Sequence, residues 1–142
     1  MKVLVKRIDP NAKIPKIEHE GDAGFDLYSN ETIVLRPMER RLVPTGISMA
    51  FPKGFEAQIR PKSGLAINHG ITLLNTPGTI DAGYRGEVKV IVANFGGEEY
   101  TIEKGKKIAQ VVFNKIEQPE LEVVGELDET SRGKGGFGST GL

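Results

Sequence analysis

Asp81 and Tyr84 bracket a short segment, Thr79-Ile80-Asp81-Ala82-Gly83-Tyr84-Arg85-Gly86, in which Gly83 suits the third position of a turn that needs positive φ. The ends of such a turn lie within ~7 Å of each other. A carboxylate and a flat ring would then face one small volume, the first as a base and the second as a packing wall. The same residues also suit a plain structural turn, with Asp81 bonding the turn backbone and Tyr84 capping the core. Lys62-Ser63-Gly64 places an ammonium, a hydroxyl and side-chain-free backbone at the expected start of a helix. Free amides and the helix dipole favour phosphate there; in the structural alternative Ser63 only caps and Lys62 is solvated. The Gly-Lys-Ser/Thr order of a Walker loop is missing. Near the C-terminus, Arg132-Gly133-Lys134-Gly135-Gly136-Phe137-Gly138-Ser139-Thr140-Gly141 joins cations, hydroxyls and one aromatic ring in a glycine-rich run. It could fold over a triphosphate, with Arg132 on the phosphates and Phe137 stacked on a base. Its composition equally describes a disordered terminus.

These residues need a scaffold, and composition narrows which one. A chain of 142 residues makes one domain, and 19 basic against 19 acidic residues give zero net charge. No uniformly basic surface exists to bind nucleic acid by counterion release. With no cysteine and only two isolated histidines, His19 and His69, thiol chemistry and a His/Cys metal cage are excluded. Lys6 and Arg7 stand where a signal peptide needs its apolar core, and no apolar run approaches the ~20 residues of a membrane span. The expectation is a cytoplasmic protein without a membrane partner.

With 18 glycines and 8 prolines, little uninterrupted chain remains for long helices. Short strands fit residues 3–5, 25–28, 32–35, 47–51, 55–59, 71–74, 88–93 and 121–124. Residues 106–118 carry both periods: Ile108, Ala109, Val112 and Ile116 suit a helix, whereas Ala109, Val111 and Phe113 alternate as in a strand, and the paired valines favour strand. One short helix is expected from Ser63 as cap to Gly70 as stop. Asp22 and Asp26 flank Gly24, and Gln110 is a polar residue inside an apolar strand. Each of these suits a structural role when taken alone. Residues 131–141, five of them glycine, have no apolar periodicity to hold them on a core.

In this order the segments resemble the five motifs of the homotrimeric, all-β dUTP pyrophosphatase (dUTPase) family. They are Ala23-Gly24-Phe25-Asp26-Leu27-Tyr28-Ser29, Pro61-Lys62-Ser63-Gly64-Leu65-Ala66, Gly78-Thr79-Ile80-Asp81-Ala82-Gly83-Tyr84-Arg85-Gly86, Gly105-Lys106-Lys107-Ile108-Ala109-Gln110 and the tail from Arg132. The resemblance implies a distorted jelly-roll-like β-barrel or sandwich over residues 1–130 and a flexible C-terminal lid over 131–142. It implies hydrolysis of dUTP to dUMP and pyrophosphate with Mg²⁺ on the triphosphate, in sites shared between the subunits of a homotrimer. Such an activity limits uracil incorporation into DNA and supplies dUMP for thymidylate synthesis.

Carried over by position, Asp81 is implied as the general base and Tyr84 as the ring under the deoxyribose. Asn75, Gly78, Thr79 and Ile80 would read uracil, with Lys89 lining the same region. Lys62, Ser63, Gly64 and Gln110 would contact phosphates, with Asp26 and Gln110 in the outer shell of the hydrated metal. Arg132 would clamp the γ-phosphate, Phe137 would cover uracil, and Gly138, Ser139 and Thr140 would close the phosphate loop. Lys62 departs from the usual arginine, exchanging a bidentate fork for a point charge. Two rivals are a dCTP deaminase, whose proton-shuttling glutamate aligns with the apolar Ile91, and a catalytically silent nucleotide-sensing or protein-binding trimer.

Overall fold

Frequent glycine and proline cut the chain into strands of three to nine residues. The computed structural model describes residues 1–141, so Leu142, the last residue of the expected lid, lies outside the described residues. Along the chain run β1 (Leu4–Arg7), β2 (Phe25–Tyr28), β3 (Ile33–Leu35), β4 (Arg40–Pro44), β5 (Ile47–Ala50) and β6 (Phe55–Arg60). The helix α1 (Ser63–His69) follows, and then β7 (Ile71–Leu73), β8 (Gly78–Asp81), β9 (Lys89–Asn94), β10 (Tyr100–Ile102) and β11 (Lys107–Lys115). The strands form sheets ordered β2-β11-β6-β8, β4-β9-β7, β1-β5 and β10-β3, with every pairing antiparallel. No closed ring of strands forms among the described residues, so the architecture is an open, jelly-roll-like sandwich rather than a barrel. No described helix is long and apolar enough to cross a membrane.

Alternation of side chains across each strand builds a single core. Ala57 and Ile59 of β6 point inward while Glu56, Gln58 and Arg60 face out, and Val90 and Val92 of β9 meet Leu27, Val43, Ile47, Ile71 and Val111 in one apolar cluster. The region 106–118 is a strand, as the paired valines suggest. Gly70 stops the helix in the left-handed conformation, φ 67°.

Several expectations fail locally. Residues 121–124 form no strand and their apolar side chains are exposed, because β-propensity does not hold a segment that has no neighbour to bond its backbone. Sequence patterning misses β4, β8 and β10. β4 carries Arg40, Arg41 and Pro44 and β8 carries Gly78 and Asp81; both are edge strands, where charge, proline and glycine are tolerated. Ser63 is the first residue of α1 and not its cap: the cap is Lys62 at φ −95°, with no side-chain hydrogen bond. Gly83 does not adopt positive φ.

Candidate active site

The Asp81 turn is built by the end of β8. Gly78, Thr79 and Ile80 pair with Ile59, Gln58 and Ala57 of β6, and the turn closes through a Tyr84 N–H donating to the Asp81 carbonyl at 3.0 Å. Arg85 fastens it, its Nη1 donating to the carbonyls of Ala82 and Tyr84 at 2.7 and 2.9 Å. The Tyr84 hydroxyl donates to the Glu87 carbonyl at 2.9 Å, and the ring lies so close over Gly86 that a Cβ there would sit 2.6 Å from Cζ. Glycine at 86 is therefore the condition for the ring's position. Asn75, Thr79, Ile80, Asp81, Tyr84 and Lys89 line one pocket of about 300 Å³. Gly78 lines a second, smaller cavity of about 70 Å³ that shares Asn75, Thr79, Ile80 and Lys89 with the first. No hydrogen bond to the Asp81 carboxylate is present among the described residues, so it is not consumed by the turn as an Asx motif would require.

A second corner gathers around Asp26 on β2, which is buried. Lys62 donates to its Oδ1 at 2.5 Å and Lys107 stands 2.8 Å from its Oδ2. Burial opposes ionisation of this carboxyl, yet the hydrogen bonds from Lys107 and Lys62 outweigh it and hold the pKa below the ordinary carboxylate value. Lys107 is correspondingly shifted up, first by its bond to Asp26 and then by that to Glu18. The expected alternative of a solvated Lys62 does not hold. Gln110 faces Asp26 across the β2–β11 ladder and donates to the Pro61 carbonyl at 3.1 Å. Its amide fills the space over Gly24, where a Cβ would lie 2.3 Å from Oε1. Ser63 and Gly64 open α1 beside it, the Ser63 hydroxyl unused for capping.

The two corners share the outer face of one sheet but do not meet. Gln110 faces Arg60 on β6, and Asp81 faces Glu56 on the same strand. At ~3.4 Å per residue and ~4.8 Å per strand, Asp81 and Gln110 stand about 17 Å apart. Arg132, Phe137, Gly138, Ser139 and Thr140 join neither corner. Arg132 donates to Gly135 at 3.0 Å, the arm is held by turns of its own, and Phe137 is fully exposed.

A family model described as dUTPase matches residues 10–141. The chain belongs to the dUTPase family. The deoxyuridine 5'-triphosphate nucleotidohydrolase of Clostridium novyi is 58% identical over 142 residues, covering 100% of both chains. The dUTPase of Staphylococcus bacteriophage 80alpha with dUPNHPP superposes with a TM-score of 0.92 at 31% identity, covering 99% of each chain. A mutant dUTPase of phage phi11 of S. aureus, described for its coordination of a structural Mg(II) ion, gives a TM-score of 0.84 at 27% identity over 91% of this chain and 100% of that one. The enzyme is accordingly a dUTP diphosphatase, acting on dUTP.

Within this dUTPase, sequence reasoning overlooked Lys107, which holds the second oxygen of Asp26. It lies inside a quoted motif, but a regular strand would turn it away from Gln110 and Asp26. Arg85 was likewise assigned nothing, although it locks the Asp81 turn.

Proposed function

We propose that the enzyme hydrolyses dUTP at the α-phosphate, with Asp81 orienting and deprotonating the attacking water. The water oxygen bonds to phosphorus, the bond to the leaving pyrophosphate breaks, and the water's proton passes to the Asp81 carboxylate. The observation that carries this reading is the free carboxylate of Asp81 at a pocket whose wall is an edge strand. β8 pairs with β6 on one side only, so its other row of N–H and C=O groups is open to a base. Such readers cannot rotate, and Gly78, Thr79 and Ile80 with Asn75 therefore suit uracil. An extra methyl is rejected by space and an amino group by mismatched donors. Tyr84 lies under the deoxyribose, where a 2′-hydroxyl would clash, and Lys89 borders the same pocket.

Lys62, Ser63, Gly64 and Gln110 hold the phosphates, since phosphoryl chemistry is mainly positioning and electrostatics. For Mg²⁺ the donor set fits: Asp26 and Gln110, a carboxylate and an amide, face each other on neighbouring strands. One carboxylate and one amide suit a magnesium that stays on substrate phosphates and keeps its waters. When bound it supplies charge neutralisation of the triphosphate. Arg132 clamps the γ-phosphate, Phe137 covers uracil, and Gly138, Ser139 and Thr140 close over the phosphates, making residues 131–142 a lid.

Because the Asp81 and Gln110 corners are separated and the arm reaches neither, each site is completed by neighbouring copies in a homotrimer. Exposed apolar residues support this reading, among them Leu42 on β4, Leu74 directly after β7, and Leu121, Val123 and Leu127 in the segment that precedes the arm. A deaminase is disfavoured by Ile91, which lines the pocket where that chemistry needs a carboxylate. We assign the enzyme to the cytoplasm, where a nucleotide substrate would be met. Subunit mixing tests the shared site. Asp81→Asn and Gln110→Ala chains, each inactive alone, should on co-refolding regain up to about one quarter of the parent pyrophosphate release, because random trimers contain some sites with both residues intact. No recovery in mixed trimers of verified mass would place both residues in one subunit's site, and parental release of ammonia from dCTP would point to the deaminase.

A further inference from the structure

Strand β11 would ordinarily send Lys107 and Gln110 to opposite faces, since side chains alternate with period two. An irregularity between Lys107 and Ala109 changes this: Lys107 is set opposite Tyr28, while Gln110 stays opposite Asp26. Positions 26 and 28 share a face of β2, so the extra residue swings Lys107 to the side of Gln110 and Asp26. Bulges re-aim side chains in this way. The outcome is a row of alternating charges, Glu18, Lys107, Asp26 and Lys62. Lys107 Nζ lies 2.6 Å from Glu18 Oε2 and 2.8 Å from Asp26 Oδ2, and Lys62 Nζ lies 2.5 Å from Asp26 Oδ1. Asp26 is the buried member, its side chain 5% exposed, whereas that of Glu18 is 56% exposed.

Each carboxylate oxygen of Asp26 thus has its own lysine. A buried carboxylate with a single cation resists giving that cation up, because departure leaves an unpaired charge out of water. We propose that Lys107 is a positioning residue for the phosphate site: by keeping Oδ2 of Asp26 paired, it lets Lys62 exchange Oδ1 for a phosphate oxygen of the substrate. This rests on the assignment of Lys62 to the triphosphate. Lys107 itself remains on Asp26 throughout, and Glu18 competes for its ammonium from the solvent side.

The test is a set of steady-state measurements on dUTP. Lys107→Met should raise KM by about 10–100-fold, the equivalent of one charge-assisted hydrogen bond now tying Lys62 to Asp26. The kcat should remain near the parent's, because the groups around Asp81 are untouched, and Lys107→Arg should restore KM. In an Asp26→Asn background, where no carboxylate traps Lys62, Lys107→Met should add no further rise. An equal KM penalty in that background would mean that Lys107 touches phosphate directly. A lowered unfolding midpoint with unchanged KM would make its role purely structural. Either result overturns the proposal alone, whereas an unchanged KM in Lys62→Met removes the Lys62 assignment together with it. Should Lys107→Met fail to fold, the surface change Glu18→Gln carries the test with opposite sign. It leaves Lys107 wholly to Asp26, so KM should fall, and an unchanged or raised KM overturns the proposal.

Discussion

The Asp81 turn and the C-terminal arm each present chemistry suited to a nucleotide, yet they are held in opposite ways. Around Asp81, strand pairing to β6, the Arg85 clamp and the Tyr84–Glu87 bond fix the course of the backbone before any ligand arrives. Over residues 131–141 the hydrogen bonds are local turns, and Phe137 packs on nothing. A preformed wall discriminates by misfit, since a wrong base or sugar meets groups that cannot yield. A segment without contacts discriminates by whether the ligand compensates its ordering, which for about ten residues costs on the order of 10 kcal/mol of backbone entropy. The first arrangement suits reading the nucleoside, and the second suits sensing a full triphosphate.

The largest expected effect lies at the rigid end. Asp81→Asn keeps the shape but cannot accept the water's proton, so kcat should fall by roughly 10²–10⁴-fold while a non-hydrolysable dUTP analogue still binds. Near-parental kcat would remove the base from this turn. Deleting residues 131–142 should come next, lowering kcat/KM by about 10–100-fold or more through loss of the Arg132 contact alone. The unfolding midpoint should stay within a degree or two of the parent's, because residues 131–141 add nothing to the core cluster. Parental activity of the truncated protein would reduce the arm to a passive terminus. Proteolysis after Arg132 and Lys134 sharpens the contrast: it should slow with the triphosphate analogue and Mg²⁺, and not with dUMP.

A smaller effect separates the turn's two side chains. Tyr84→Ala should improve UTP relative to dUTP by about 10-fold, the order of discrimination that steric exclusion supplies. Unchanged rejection of UTP would move the sugar filter into the turn backbone.

Much of this arrangement is legible in the residues because local chemistry and tertiary structure agree there. β2 is bounded as its pattern requires, Gly70 stops α1, and Asp81 and Tyr84 do flank a hydrogen-bonded turn. What stays hidden has one kind of cause. β8 reads as a turn because an edge strand, bonded on one side, can carry Gly78 and Asp81. β11 reads as both helix and strand because its irregularity buries Ile108 with Ala109, and both of its faces are covered at Val111 and Val112, so that the buried positions mimic a helical face. Lys107 is hidden by the same irregularity. Ser63 suits a cap by type, but the backbone begins the helix one residue earlier than capping needs, leaving its hydroxyl available. The valines and leucines of 121–127 have strand propensity but stay exposed and outside every strand, because no neighbouring strand among the described residues bonds their backbone.

The smallest expected effect concerns the body alone and sets its fixed charges against the arm. Asp26 has a pKa held below its unfolded value by Lys107 and Lys62 against the opposing influence of burial. A depressed carboxyl contributes stability fully above its unfolded pKa of ~3.9 and loses it as pH falls through the folded value. Below about pH 4 the unfolding midpoint should therefore drop more steeply in the parent than in Asp26→Asn. Asp9, Glu18 and Glu39 are also shifted down and act with the same sign. Asp9 is held down chiefly by its bond from Asn30, Glu18 by Lys107 and Glu39 by the Arg36 backbone N–H. They lie nearer the solvent than Asp26, so at 1 M salt, where the screening length is ~3 Å, their coulombic share should fade first. The difference between parent and Asp26→Asn should persist there because Asp26 is buried. Removing the arm should leave it unchanged, since both lysines belong to the body. Equal acid slopes in parent and variant at high salt would mean that the Asp26 corner stores no charge-dependent stability, and the fixed corner would then differ from the arm in geometry alone.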